Sequence, residues 1–228
     1  MRVIVAGDIH ANWGGFNRFI NKQKPDIIIQ CGDFGWWPHY HRKNFDGARF
    51  NQFGIKNIHN NGNVTKIYWI AGNHENWDDL NCITDYEPLE IQDGITYCPF
   101  GTVLELNGMN ILCCGGAEST DKEWRIEGVS WWKDELISQK DMDNLPDCKI
   151  DILISHTIPR YFMNYVPKFN YRHRDPSTLA LQMILERYRP KYWYSGHMHH
   201  FIKKTIDDCN WTSLSMLGGE GRWWVDLP

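Results

Sequence analysis

Five short apolar runs punctuate the chain, and each stops abruptly at polar side chains. Residues 2–6 lead into Gly7-Asp8-Ile9-His10, and residues 26–31 into Gly32-Asp33. Residues 66–71 lead into Gly72-Asn73-His74-Glu75, residues 150–155 into His156, and residues 191–195 into Gly196-His197-Met198-His199. The runs are rich in β-branched and aromatic residues and too short for ordinary helices, so they read as buried strands. Taken alone, the Gly-Asn-His-Glu string is what a tight turn looks like. Five strand ends with the same grammar argue instead for one shared site, because side chains at the carboxyl ends of an open α/β sheet converge on one crevice.

Between these runs the apolar period changes. Trp13, Phe16, Phe19 and Ile20 recur at helical spacing, and Pro25 closes the connection to the second strand, so the first two strands should lie parallel. Residues 35–41 show no period and read as a loop over the strand ends. Phe45, Arg49, Phe50 and Phe53 predict a helix over 42–54 that stops at Gly54. Asn76 is placed to cap a short helix, and Asn107-Gly108 joins residues 103–106 to 109–114 as a hairpin. Residues 117–135 are irregular. Ser138-x-x-Asp141 resembles a capping box that opens a helix closed by Pro146. After His156 comes a long loop, then a helix from about Ser177 with Leu181, Ile184, Leu185 and Tyr188 on one face; residues 211–217 and 222–227 read as closing strands. Parallel units and a hairpin together predict an α/β fold with mixed sheets flanked by helices. No repeat or linker divides the chain, so a single domain over residues 1–228 is expected.

Composition changes this picture little. A length of 228 residues suits one well-buried α/β domain, and a formal net charge of −4 offers no general basic surface, so stable nucleic-acid binding is not expected. Twelve tryptophans are more than a core of this size needs, which leaves some to line a cleft or an interface. Seven cysteines without a Cys-x-x-Cys pair, several inside apolar runs, argue for reduced thiols in a reducing compartment. The first apolar run is too short for a signal peptide and none reaches membrane-spanning length, so a cytoplasmic protein without membrane attachment is expected.

Two carboxylates, four imidazoles and a carboxamide at strand ends suit first-row divalent ions better than calcium, which takes oxygen ligands only. In order along the chain, Asp8-x-His10, Gly32-Asp33, Gly72-Asn73-His74-Glu75, His156 and Gly196-His197-x-His199 resemble the five blocks of the calcineurin-like metallophosphoesterases. The resemblance implies a metallophosphoesterase-type α/β sandwich and a dinuclear centre. By similarity, Asp8, His10, Asp33 and His199 hold one metal, and Asp33, Asn73, His156 and His197 hold the other, with Asp33 bridging. Manganese is the first expectation, with iron, zinc or nickel as alternatives. Such a pair of ions outweighs the two carboxylates, attracts a phosphate ester and makes hydroxide available near neutral pH. His74 resembles the family's non-ligand histidine that gives a proton to the departing oxygen. Glu75 is expected either to orient that ring or to be a solvated or capping residue.

The departures from the family bear on substrate. In its protein serine/threonine phosphatases, Gly-Asp is followed by an Asp-Arg-Gly element and an arginine precedes Gly-Asn-His-Glu; here Trp36-Trp37 and Ala71 stand in those places. The loss favours a phosphodiester or nucleotide-like small substrate, with Arg125 or Arg160 as candidates to bind it from a loop. A phosphomonoesterase or protein phosphatase, and a non-catalytic interaction scaffold, remain the alternatives; a nuclease lacks its basic surface. Residues 157–174 carry Arg160, Lys168, Arg172 and Arg174 among Tyr161, Phe162, Tyr165, Phe169 and Tyr171, with no acid. This mixture suits either a phosphate with a base attached or a solvated loop whose aromatics pack on the domain.

Overall fold

The computed structural model describes residues 1–37, 64–167 and 175–228. Along the chain, β1 (Val3–Ala6), α1 (Trp13–Gln23), β2 (Ile27–Gln30), β3 (Lys66–Trp69) and α2 (Trp77–Ile83) come first. Next are β4 (Leu89–Gln92), β5 (Ile95–Tyr97), β6 (Val103–Leu106), β7 (Met109–Cys114) and α3 (Gln139–Asp143). Finally come β8 (Ile152–Ser155), α4 (Ser177–Tyr188), β9 (Tyr192–Ser195), β10 (Ile202–Ile206), β11 (Cys209–Ser213) and β12 (Trp224–Asp226). They form two mixed six-stranded sheets, ordered β12-β1-β2-β3-β5-β4 and β10-β11-β9-β8-β7-β6. In each, four parallel strands are flanked by antiparallel edge strands.

The continuous apolar runs are explained by burial on both faces of each sheet. In the first sheet, Ile4, Ile28, Ile67 and Trp69 face α1 through Phe16, Phe19 and Ile20. Alternate positions Val3, Val5, Ile27 and Ile29 face the second sheet through Ile111, Cys113, Ile152 and Ile154. The outer face of the second sheet buries Leu112, Leu153, Trp193 and Trp211 against Leu181 and Ile184 of α4. Period two therefore sorts each strand between a helix layer and the layer between sheets. Gly115, just beyond β7, meets the end of β3 so closely that a Cβ there would lie 2.8 Å from the Ala71 carbonyl, and Gly116 N–H donates to that carbonyl at 2.9 Å. The carboxyl ends of the two sheets are thus joined beside Gly72.

Local signals behaved as their chemistry requires. Asn76 caps α2 by accepting from Asp79 N–H. Ser138 and Asp141 form the reciprocal capping box of α3. Asn107 and Gly108 both have positive φ, as a two-residue hairpin turn demands. Three strands were not anticipated: β4 and β5, a short hairpin with a register shift between Glu90 and Gln92, and β10, whose Lys203, Lys204 and Thr205 are exposed. The expected unbroken loop after His156 is interrupted by a 3-10 turn over Arg160–Tyr165, because Phe162 and Met163 are buried there, Phe162 against Trp193 and Trp211. Tyr165 packs under Lys204 and edge-on to Tyr161, so Phe162 and Tyr165 pack on the domain while Tyr161 is exposed. The rest of that loop's candidates (Lys168, Phe169, Tyr171, Arg172, Arg174), the 42–54 helix and residues 38–41 lie outside the described residues.

All seven cysteines are free, and Cys31, Cys98, Cys113, Cys114 and Cys209 are buried. Most tryptophans fill core or lean on it, with Trp69, Trp193 and Trp211 fully enclosed, whereas Trp124 is 89% exposed. No helix among the described residues is long and apolar enough to cross a membrane.

Candidate metal centre

The loops leaving β1, β2, β3, β8 and β9 deliver their polar side chains to one place. Asp8 Oδ2 lies 2.9 Å from His199 Nε2, and His10 Nε2 lies 3.2 Å from the same nitrogen. His10 Nε2 is 3.6 Å from Asp33 Oδ2 and 3.9 Å from Asp8 Oδ2, and one ligand atom from each of Asp8, His10, Asp33 and His199 fits within 4.8 Å of the others. The other Asp33 oxygen, Oδ1, is 3.3 Å from His156 Nε2. That nitrogen is 3.0 Å from Asn73 Oδ1, and the His156 ring lies 4.8 Å, centroid to centroid, from His197. Asp33 therefore turns one oxygen to each of two groups of ligand-type side chains.

Backbone strain and missing side chains hold this arrangement. His10, Asp33, His197 and His199 all have positive φ, an uncommon conformation outside glycine that is concentrated at functional sites. At Gly72 a Cβ would fall 2.2 Å from Asp33 Oδ1, and at Gly196 a Cβ would fall 2.1 Å from Asp8 Oδ1, so neither carboxylate has room beside a larger residue. Asp8 also accepts from the His197 N–H at 3.1 Å, which ties the end of β1 to the end of β9.

Glu75 does neither of the things expected from sequence. It is fully buried, and its two oxygens accept from Gly35 N–H at 2.8 Å and Gly72 N–H at 2.5 Å, so it clamps two site loops together and is not solvated. Its oxygens are engaged by backbone amides, whereas the His74 ring meets Arg125 and the His74 backbone N–H donates to Asp33 Oδ1 at 2.9 Å. Burial pushes the Glu75 carboxyl up to about 7, Asp33 adds to the rise, and the two amides pull against it.

The electrostatics ask for positive charge. His156 Nδ1 sits 2.8 Å from the Cys31 carbonyl and so carries its proton there, leaving Nε2 facing the Asp33 and Asn73 oxygens. Three acceptors turned on one another repel unless a cation or a proton lies among them. Burial disfavours the charged His156 ring, but Asp33 and then Asp8 push its pKa up to about 10. Burial alone would raise Asp33, yet His156, His74 and His10 hold it well below the usual carboxylate range. His197, buried beside His156, is held well below its ordinary value, and His199 is raised by its hydrogen bond to Asp8. A first-row divalent cation fits the same place with the same nitrogen and oxygen donors.

His74 stands outside both groups. Its ring meets His10 edge-on at 5.1 Å, and Arg125 Nη2 lies 2.9 Å from each of its ring nitrogens. Arg125 is held in turn by Asp121 at 2.8 Å and by the Ser130 carbonyl at 3.2 Å. Burial, opposed by Asp33 and assisted by Arg125, lowers the His74 pKa. The adjoining cleft, about 440 Å³, is lined by Asp33, Asn73, His74, Thr157, His197 and His199 among others. Arg160, the other candidate for substrate binding, faces a separate cavity of about 880 Å³ with Gln182, Arg189 and Asp207. Its place follows from the turn it opens, whose buried Phe162 and Met163 fix the backbone against the outer core.

Sequence reasoning missed Ser119 and Glu135. Asn73 Nδ2 donates to Ser119 Oγ, and Glu135 is buried behind it, its carboxyl pushed by burial up to about 7. Both lie in the irregular 117–135 stretch, where no period or motif marks them.

Residues 1–201 match the family model for calcineurin-like phosphoesterases, and the chain belongs to that family. Members of that family are phosphoesterases, and the Asp8, His10, Asp33 and His199 cluster is of the kind that can hold a divalent metal ion. A lariat debranching enzyme of Schizosaccharomyces pombe is 27% identical, over 87% of this chain and 48% of that protein, so the chain spans about half the length of this relative. Among solved structures, the phosphopantetheinyl hydrolase of Mycobacterium tuberculosis matches with a TM-score of 0.50 at 16% identity, over 99% of this chain and 95% of the other. The protein TT1561 of Thermus thermophilus matches with a TM-score of 0.50 at 10% identity, over 95% and 89% of the two chains. At these identities the two structures show a shared fold.

Removing the Glu75 clamp should be costly without any metal present. Glu75→Ala leaves two buried amides unpaired, at about 1 to 3 kcal/mol each. Urea unfolding of chelator-treated protein should show a loss of roughly 2 to 6 kcal/mol; a loss below about 1 kcal/mol would mean that water replaces the carboxylate freely.

Proposed function

We propose that this chain hydrolyses a phosphodiester or nucleotide-type ester at a two-metal centre. Asp8, His10, Asp33 and His199 hold one ion, Asp33, Asn73, His156 and His197 the other, and Asp33 bridges them. The observation that carries this reading is the Asp33 carboxylate, which presents Oδ2 to His10 and Oδ1 to His156. Manganese is the first candidate for both positions, given the mixed nitrogen and oxygen donors. When bound, two such ions supply positive charge to a phosphoryl group and hydroxide near neutral pH.

The remaining work falls to the chain. His74 lies outside both ligand groups and within the same cleft, so metal binding does not claim its ring, and we assign it the proton handed to the oxygen that leaves phosphorus. The negative charge of a bound phosphate raises the ring's proton affinity and works against the lowering caused by burial and Arg125. The contact of Arg125 with that ring supports a second role for it, binding a non-bridging phosphoryl oxygen. It is the one arginine that the described residues bring to His74, and Ala71 stands where the protein phosphatases of the family have another. A diester, with less phosphate charge than a monoester, suits a single guanidinium. Turnover of bis-nitrophenyl phosphate against nitrophenyl phosphate, with added manganese, tests this preference: faster turnover of the monoester overturns it, and no turnover of either would favour a non-catalytic scaffold.

The bridging role predicts an order of metal loss. Asp33→Ala should lower manganese content more than His10→Ala or Asn73→Ala, and elemental analysis showing parental content in Asp33→Ala removes the bridge.

The proton-donor role predicts dependence on the leaving group. His74→Asn should keep its metal and lose about 10² to 10⁴ in kcat on nucleotide or alkyl diesters, whose alkoxide needs a proton, with a smaller loss on nitrophenyl esters. Equal losses on both, or lost metal, reassign His74 to phosphate or metal binding.

A further inference from the structure

The irregular 117–135 segment meets the candidate metal centre through the Asn73 amide. Asn73 is buried, and its Nδ2 donates to Ser119 Oγ at 3.2 Å. Ser119 Oγ donates to Glu135 Oε2 at 2.9 Å, while Glu135 Oε1 accepts from Ser119 N–H at 2.5 Å and from the Trp131 indole at 2.7 Å. Ser119 and Glu135 are both fully buried, so water does not compete for these bonds.

A carboxamide is nearly symmetric in shape, so packing alone does not decide which end faces Ser119; the supply of protons does. Ionised Glu135 only accepts. Ser119 has one hydroxyl proton, and Glu135 takes it, which turns an oxygen lone pair toward Asn73. Only the NH₂ end of the amide can meet a lone pair. Asn73 Oδ1 is left facing His156 Nε2 at 3.0 Å, where an oxygen ligand is needed. A neutral partner in place of Glu135 could donate to Ser119 instead, freeing the hydroxyl proton to hold the amide the wrong way round.

The same carboxylate anchors the loop above it. Through its indole, Trp131 is fixed to Glu135, and its backbone bonds to Ile126 and Gly128. This short turn presents the Ser130 carbonyl to Arg125, which lies against His74. The chain direction alternates there: Trp124 and Ile126 point to solvent, 89% and 65% exposed, and Arg125 between them points inward.

We propose that Glu135 is a positioning residue with two arms: through Ser119 it sets the Asn73 amide with Oδ1 toward the second metal position, and through Trp131 it holds the loop that carries Arg125. The inference rests on the two-metal reading above. The arms separate under mutation. Ser119→Ala removes only the first, Trp131→Phe only the second, and Glu135→Gln disturbs both; Ser119→Thr keeps the hydroxyl and should restore what Ser119→Ala loses.

The experiment is a calorimetric titration of Mn²⁺ into metal-free parent and variants at pH 8, paired with KM and kcat on bis-nitrophenyl phosphate and circular dichroism for folding. Ser119→Ala should bind the first ion as the parent does and the second about 10- to 100-fold more weakly, with Ser119→Thr close to the parent. Trp131→Phe should bind both ions normally and raise KM. A parent that takes up one equivalent overturns the two-metal reading and this inference with it. A parent that takes up two, with Ser119→Ala binding both unchanged, overturns the Asn73 arm alone. An unchanged KM in Trp131→Phe overturns the Arg125 arm. Should Glu135→Gln fail to fold, the Ser119 and Trp131 variants still decide both arms.

Discussion

The meeting of Asp33 and His156, 3.3 Å apart, is the contact on which the rest of the site depends. One residue follows β2 of the first sheet and the other follows β8 of the second, so the pair stitches together the carboxyl ends of two sheets that share an apolar layer further down. Burial makes the contact demanding. In a low-dielectric setting an unpaired carboxylate or imidazolium is strongly disfavoured, whereas the two together, or the carboxylate and a neutral imidazole around a cation, are tolerated. The hydrophobic sandwich brings the two ends together, and the charge they carry there defines what the site must bind.

Around that pair the backbone gives way wherever a side chain would intrude. Gly72 and Gly196 leave space for Asp33 and Asp8, and the positive φ angles of His10, Asp33, His197 and His199 aim their side chains inward. Such strain persists only because neighbouring contacts hold it. Glu75 is one of them, clamping the loops after β2 and β3 from beneath the ligands, and the His156 bond to the Cys31 carbonyl is another. Each acts through a buried hydrogen bond, so the donor atoms are oriented before any ion arrives.

The reacting side of the cleft is built differently. His74 leaves the turn after β3 next to Asn73, but its ring is paired with Arg125 from the irregular 117–135 segment. That segment, in turn, rests on Glu135 and Ser119, which reach back to Asn73. The Asn73 amide and the His74–Arg125 pair thus share a buried support, which makes their geometries interdependent.

The sequence by itself determined the strands and their polar ends. Apolar runs of strand length, broken at once by Asp8, Asp33, Asn73, His156 and His197, are a local pattern, and so are the caps at Asn76 and Ser138 and the Asn107-Gly108 turn. Strands β4, β5 and β10 escaped because they are short or have exposed faces with weak alternation. Tertiary structure alone decided which Asp33 oxygen faces which imidazoles, that Glu75 clamps backbone amides, and that Arg125 reaches His74 while Arg160 faces another cavity. It also brought Ser119, backed by Glu135, to Asn73, 46 residues away along the chain. Periodicity reports which face of an element is buried; the partner of a buried polar atom is set by residues far along the chain, brought close only once the two sheets have packed.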